Sequence, residues 1–157
     1  MGQFKIECYD KHGNLKWADT AFNAVTHQGC DHVLDTVLHN QTQSATWFIG
    51  LVNNTAWSAF ADADTLASHA GWTEDTSYTG TRKEWTEGAS SGQQITNGTT
   101  VDFAMSGTTT IKGAFLCDVT SGTAGKLFCT ALFTGGDQGV GNGDTLKVTY
   151  TVSATSS

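Results

Sequence analysis

The chain has 157 residues, of which 18 are Gly, none is Pro and 15% are charged. That length suits one domain. A hydrophobic content of 38% with five Trp and eight Phe excludes disorder for the bulk of the chain, while 26 Thr and 11 Ser, without the Ala, Glu, Lys, Leu and Arg enrichment of bundles, exclude a long helical bundle. Eight Lys and Arg against 15 Asp and Glu leave −7 at neutral pH and no basic stretch, so nucleic acid is not an expected partner.

Phe4, Ile6 and Cys8 alternate with Lys5, Glu7 and Tyr9, the period of a half-buried strand. Asp10 to Asn14 supplies turn chemistry, and Leu15-Lys16-Trp17 starts a return strand, completing a hairpin. One α-helix is expected near residues 27–39, with Cys30, Val33, Leu34, Val37 and Leu38 on a single apolar stripe facing a core. Thr26 is placed to cap its start, and Asn40 lies just past its end. Thr46 to Val52 reads as a buried strand. Residues 53–80 read as a long aromatic loop, with one short helical segment from Asp64 to His69 capped by Asp62 or Asp64. Loops longer than about 15 residues without structure of their own are usually functional.

Residues 82–153 read as strands: Arg82 to Glu87, Val101 to Met105, Thr109 to Cys117, Lys126 to Phe133, and a last strand with Leu146, Val148, Tyr150 and Val152 on one face. Residues 154–157 form a short polar tail. Alternation between a buried and a wet face marks an antiparallel sheet. About eight strands predict a mainly β fold, an antiparallel two-sheet β-sandwich of jelly-roll type in a single domain. Twelve of the 18 Gly lie between Gly88 and Gly143, at the turns of these strands. The absence of Pro removes one means of blunting exposed strand edges, so pairing with further copies of the chain is expected to cover them.

The longest apolar runs, such as Ala131-Leu132-Phe133, are far below the roughly 20 residues of a membrane span. The first residues lack the basic and apolar regions of a signal peptide. Cys8, Cys30, Cys117 and Cys129 form no C-x-x-C pair and are expected to be buried free thiols. Cys30 has His27 and His32 nearby, but its place in the apolar stripe argues against a catalytic or metal role. Glu74, Glu84 and Glu87 near Trp72 and Trp85 could suit a glycosidase, which needs two acids across a cleft; acids in a polar loop and at a strand edge explain them too. Asp62 and Asp64, or Asp137, Asn142 and Asp144, offer oxygens without EF-hand spacing. Gly139 to Gly143 lacks the Lys-Ser/Thr pair of a phosphate loop and precedes a strand. No cofactor, metal or catalytic residue is therefore expected. Binding remains: Trp57, Trp72, Tyr78, Arg82 and Trp85 cluster in and beside the irregular middle, and these residue types dominate interface hot spots.

A further pattern runs over nearly the whole chain: Tyr9-Asp10 with Gly13 to Trp17, Asn23 to Thr26 with Gly29, Trp47 to Leu51, Ala63 to Glu74 followed by Tyr78 and Arg82, Gly113 to Leu116, and Gly143 to Tyr150. It resembles a family of small virion proteins of tailed bacteriophages and prophages, most of all the capsid cement, or decoration, proteins. The resemblance implies a jelly-roll or related β-sandwich with no enzymatic activity and no cofactor. It implies assembly in the host cytoplasm onto the capsid exterior, with the major capsid protein and copies of the chain itself as partners. A phage tail module, or one that binds a receptor or carbohydrate, is the alternative.

Overall fold

The computed structural model describes residues 1–155. Its elements run β1 (Gly2–Tyr9), β2 (Leu15–Val25), α1 (His27–Leu38), β3 (Phe48–Asn53), β4 (Thr73–Asp75), β5 (Lys83–Glu84), β6 (Gln94–Thr96), β7 (Val101–Ala104), β8 (Thr109–Cys117), β9 (Leu127–Phe133), β10 (Gln138–Val140) and β11 (Thr145–Ser153). The fold is mainly β and antiparallel throughout, a β-sandwich with one helix, as the alternating patterns predict. The strand count is eleven rather than eight. The additions β4, β6 and β10 have three residues each, too few for an alternating pattern to register. The proposed helical segment from Asp64 to His69 is absent; a bridge between Thr65 and Ser68 turns the chain there instead.

The sandwich is one continuous sheet folded on itself, in the order β4-β3-β8-β9-β2-β1-β11-β6. β2 makes the fold possible because it is long enough to belong to both layers. It pairs with β1 through Leu15 to Phe22 and with β9 through Ala21 to Val25. On the inner face of one layer Phe4, Ile6 and Cys8 of β1 lie beside Tyr150, Val148 and Leu146 of β11 in register, and the rings of Phe4 and Tyr150 stack at 4.0 Å. Ile49, Leu51, Ile111, Leu116, Cys129 and Phe133 close the core from the other layer.

The open side, where β3 and its neighbours approach β11, is joined by the isolated bridges Tyr78–Met105 and Glu87–Asn97 and by one tryptophan side chain. The Trp85 indole N–H donates to the Tyr150 carbonyl at 3.1 Å and to Asn97 Oδ1 at 3.2 Å. Asn97 uses its whole amide: Oδ1 also accepts from the Tyr150 N–H, and Nδ2 donates to the Thr99 and Val148 carbonyls. Among the described residues no buried side-chain N or O atom lacks a partner.

The outer strands β4, β5, β6 and β7 have two to four residues, whereas every strand longer than six is interior to the sheet. Very short edge strands, like Pro, limit edge-to-edge pairing. Of the polar tail, Ala154 donates its N–H to the Gln93 carbonyl, and residues 156–157 lie outside the described residues.

Candidate functional site

The aromatic loop is a layer of the structure. Residues 54–72 cross the outer face of β3 and β8 and build a second core of Val52, Leu66, Trp72, Phe115, Cys117 and Leu127. Trp72 is its centre, with its indole N–H donating to Asp64 Oδ2 at 2.9 Å, its ring stacked on His69 at 3.9 Å, and Phe115 5.2 Å away. Asp64 is committed to Trp72 and to the Ala61 N–H. Gly50 makes the layer possible because a Cβ there would lie 2.2 Å from the Phe115 ring. Hydrophobicity drew these rings inward, and the one polar atom of Trp72 found a carboxylate.

The five residues expected at an interface therefore do not form one surface. Trp72, Tyr78 and Trp85 are each 4% exposed and Arg82 is 7% exposed. Tyr78 packs edge-on against Phe103 at 4.9 Å in the main core, where Trp85 also lies. Trp57 alone is half-exposed, and its face is occupied by the Lys112 ammonium at 5.1 Å. Aromatic residues are common in interfaces and in cores alike, whereas Arg goes inside only when paired, as Arg82 is with Glu74; burial assigns four of the five to the interior.

The acids are equally committed. Arg82 forms a fork with Glu74, Nε to Oε1 at 2.8 Å and Nη2 to Oε2 at 2.7 Å, and its Nη1 donates to the Val119 carbonyl. Burial works against the guanidinium charge, but the bonds to Glu74 outweigh it and hold the Arg82 pKa above its ordinary value. Glu84 and Glu87 lie on the surface. Asp137 pairs with Lys112 and Asp144 with Lys16. Among the described residues no three His, Cys, Asp or Glu side chains gather as a metal site. Burial pushes the thiols of Cys8, Cys117 and Cys129 up to about 11, which leaves them protonated at neutral pH and poorly nucleophilic.

The exposed apolar surface lies where sequence periodicity placed core. Helix α1 occupies its expected span with Thr26 as N-cap, accepting from the Gly29 N–H. Its stripe, however, faces outward. Leu34 is 55% exposed, Val37 72% and Leu38 77%, with Val33 and Cys30 exposed beside them. The inward side is Gly29 and His32, with Thr36 partly covered. A Cβ at Gly29 would lie 2.2 Å from the Phe128 carbonyl, so glycine brings the helix down onto β9. Gln28 accepts from the Leu127 N–H, the Thr26 hydroxyl donates to the Leu127 carbonyl, and His32 meets Trp47 edge-on at 5.3 Å. Polar anchoring and close backbone approach have replaced apolar burial. The spacing Gly29, His32, Thr36 carried that signal, weaker to read than five aliphatic or thiol side chains.

Two further features adjoin. Phe22 and Leu132 sit opposite one another on β2 and β9, 54% and 44% exposed. A cleft of about 280 Å³ runs beside α1, lined by Val33, Trp47, Ile95, Phe128 and Val152 among others. Among the described residues no helix is long and apolar enough to cross a membrane. No protein-family model matches the chain, and no curated protein matches it at a significant level.

Proposed function

We propose that the chain is a non-enzymatic virion protein of a tailed phage that decorates the outer surface of the assembled capsid and stabilises it. The observation that carries this reading is the placement of its exposed apolar side chains. Six of them, Val33, Leu34, Val37 and Leu38 on α1 and the Phe22–Leu132 pair, stand in two exposed groups that a protein partner can cover. Small-molecule sites are concave, with convergent polar groups. The tryptophans that would grip a sugar in the alternative tail or carbohydrate-binding reading, Trp72 and Trp85, have no open face.

A protein that binds only the assembled shell shifts assembly toward that shell by mass action, and repetition over the shell lets each contact be weak. The acidic surface, −7 per chain, keeps coated particles dispersed. The test is on particles that lack the protein. Purified chain is expected to bind them at a fixed stoichiometry and raise the temperature at which they release DNA. Absence of binding, with no change in heat resistance on deletion, overturns the reading.

A further inference from the structure

On the open side of the sandwich the two layers leave the cleft of about 280 Å³ between them, at the lower end of small-molecule sites. Its floor is core: Leu116 and Trp85 are 2% and 4% exposed. Its walls come from both layers, Trp47 and Phe128 on one and Ile95 and Val152 on the other. Each packs on the main core and keeps part of its surface uncovered. Trp85 fixes the floor to both walls, its backbone N–H donating to the Trp47 carbonyl at 2.8 Å and its indole N–H to the Tyr150 carbonyl. From α1, His32 meets Trp47 edge-on at 5.3 Å, and Trp47 meets Phe128 edge-on at 5.2 Å.

Charge selects the occupant. Glu87 is the one carboxylate lining the cleft, and no Lys or Arg lines it. Glu87 is exposed, with its backbone held by the bridge to Asn97. Among the described residues no ion pair engages its carboxylate. Aromatic faces attract positive charge, as a carboxylate does, and the net −7 of the chain concentrates cations around it. A calcium ion takes roughly six to eight oxygens, and no three candidate ligand side chains gather among the described residues. A primary ammonium would set three N–H donors against walls made largely of hydrocarbon. Methyl groups on nitrogen need no acceptor and bury against rings. We infer that the cleft binds a small organic cation of the quaternary ammonium class, its methyl groups against Trp47 and Phe128 and its charge toward Glu87.

Titration of the nitrogen-labelled full chain with choline tests this, read in nitrogen–proton correlation spectra that resolve the indole signals of the five Trp. The Trp47 and Trp85 signals are expected to shift and saturate, while those of Trp57 and Trp72, in the outer layer over β3 and β8, stay in place. Glu87→Gln and Trp47→Leu should each weaken binding about tenfold. Glu87 is exposed, so the thermal midpoint of Glu87→Gln should match the wild type and keep the test clear of folding. Ethanolamine, which is choline without its methyl groups, and the uncharged isostere with carbon in place of nitrogen should each bind about tenfold more weakly or worse. Absence of a saturable shift, equal binding of either analogue, or indifference to Glu87→Gln overturns the inference. Cosedimentation with phosphatidylcholine vesicles, reversed by free choline, would assign the cation to a lipid surface; choline binding without it assigns a free solute, and either result supports the site. Choline binding by a chain that does not bind capsids leaves the cleft standing and removes the decoration role instead.

Discussion

Asn97 shows how much a single residue holds here. Its amide accepts from Trp85 and Tyr150 and donates to Thr99 and Val148, joining the two layers on their open side. Asn97→Ala leaves several buried groups unpaired and should cost about 3 kcal/mol, read as a lower urea midpoint. Asp19 is similarly surrounded. Burial would raise its pKa, but bonds from Gln138, Gly135, Thr20 and Thr134 more than offset that and hold it below the usual carboxylate range. Asp144, against Lys16 and the Gly141 N–H, is lowered in the same way, and Asp10, bonded by Asn14, falls to about 2. Depressed carboxylates bind fewer protons folded than unfolded. The stability they supply is complete above the unfolded value near 4 and is lost as pH falls toward the folded values. The urea midpoint should therefore be nearly level from pH 7 to about 5 and decline between about 4 and 2. Asp19→Asn should make that decline shallower; an unchanged slope would remove Asp19 from the account.

At the scale of elements, the 54–72 segment and α1 exchange the roles that their compositions suggest. The segment rich in Trp is a structural layer, so Trp72→Ala should cost about 3–5 kcal/mol of folding stability. An interface tryptophan would leave the isolated chain unaffected. The helix with the aliphatic stripe is anchored through its polar side, and Leu34→Glu should change the stability of the single chain by no more than about 0.5 kcal/mol. Gly29→Ala, in contrast, drives a Cβ into the Phe128 carbonyl and should detach or tilt the helix, visible as increased amide exchange over 27–38 with the sheet still protected. Both assignments reverse a reading by hydrophobicity alone. Periodicity reports that a face is apolar; whether protein or solvent lies opposite depends on residues far away in sequence.

For the whole molecule, a single sheet wrapped around one core and lined outside by a second makes a small rigid body whose long strands are all interior. Its outer strands are short, and most of its exposed apolar side chains gather on α1 and at the Phe22–Leu132 pair at the fold of β2. Substituting both Phe22 and Leu132 by Asp should abolish capsid binding in a cosedimentation assay while circular dichroism remains native. Retention of binding would move the shell contact elsewhere on the body.

Much of the architecture was legible in the sequence. The alternation in β1, β7 and β11, the Thr26 cap and the span of α1 are local properties, set by side-chain period and by backbone groups a few residues apart, and they appear where the pattern places them. The three-residue strands β4, β6 and β10 exist only because a long neighbour offers them partners, and no local pattern announces them. Which apolar residues are core was likewise a tertiary decision. The outer face of β3 and β8 presents Val52, Phe115 and Cys117, and the loop carrying Trp72 covers it. The helix was tethered by Thr26, Gln28 and Gly29 with its aliphatic side turned away. Burial is a property of the assembled fold, because the free energy of covering an apolar group depends on what the rest of the chain can bring against it.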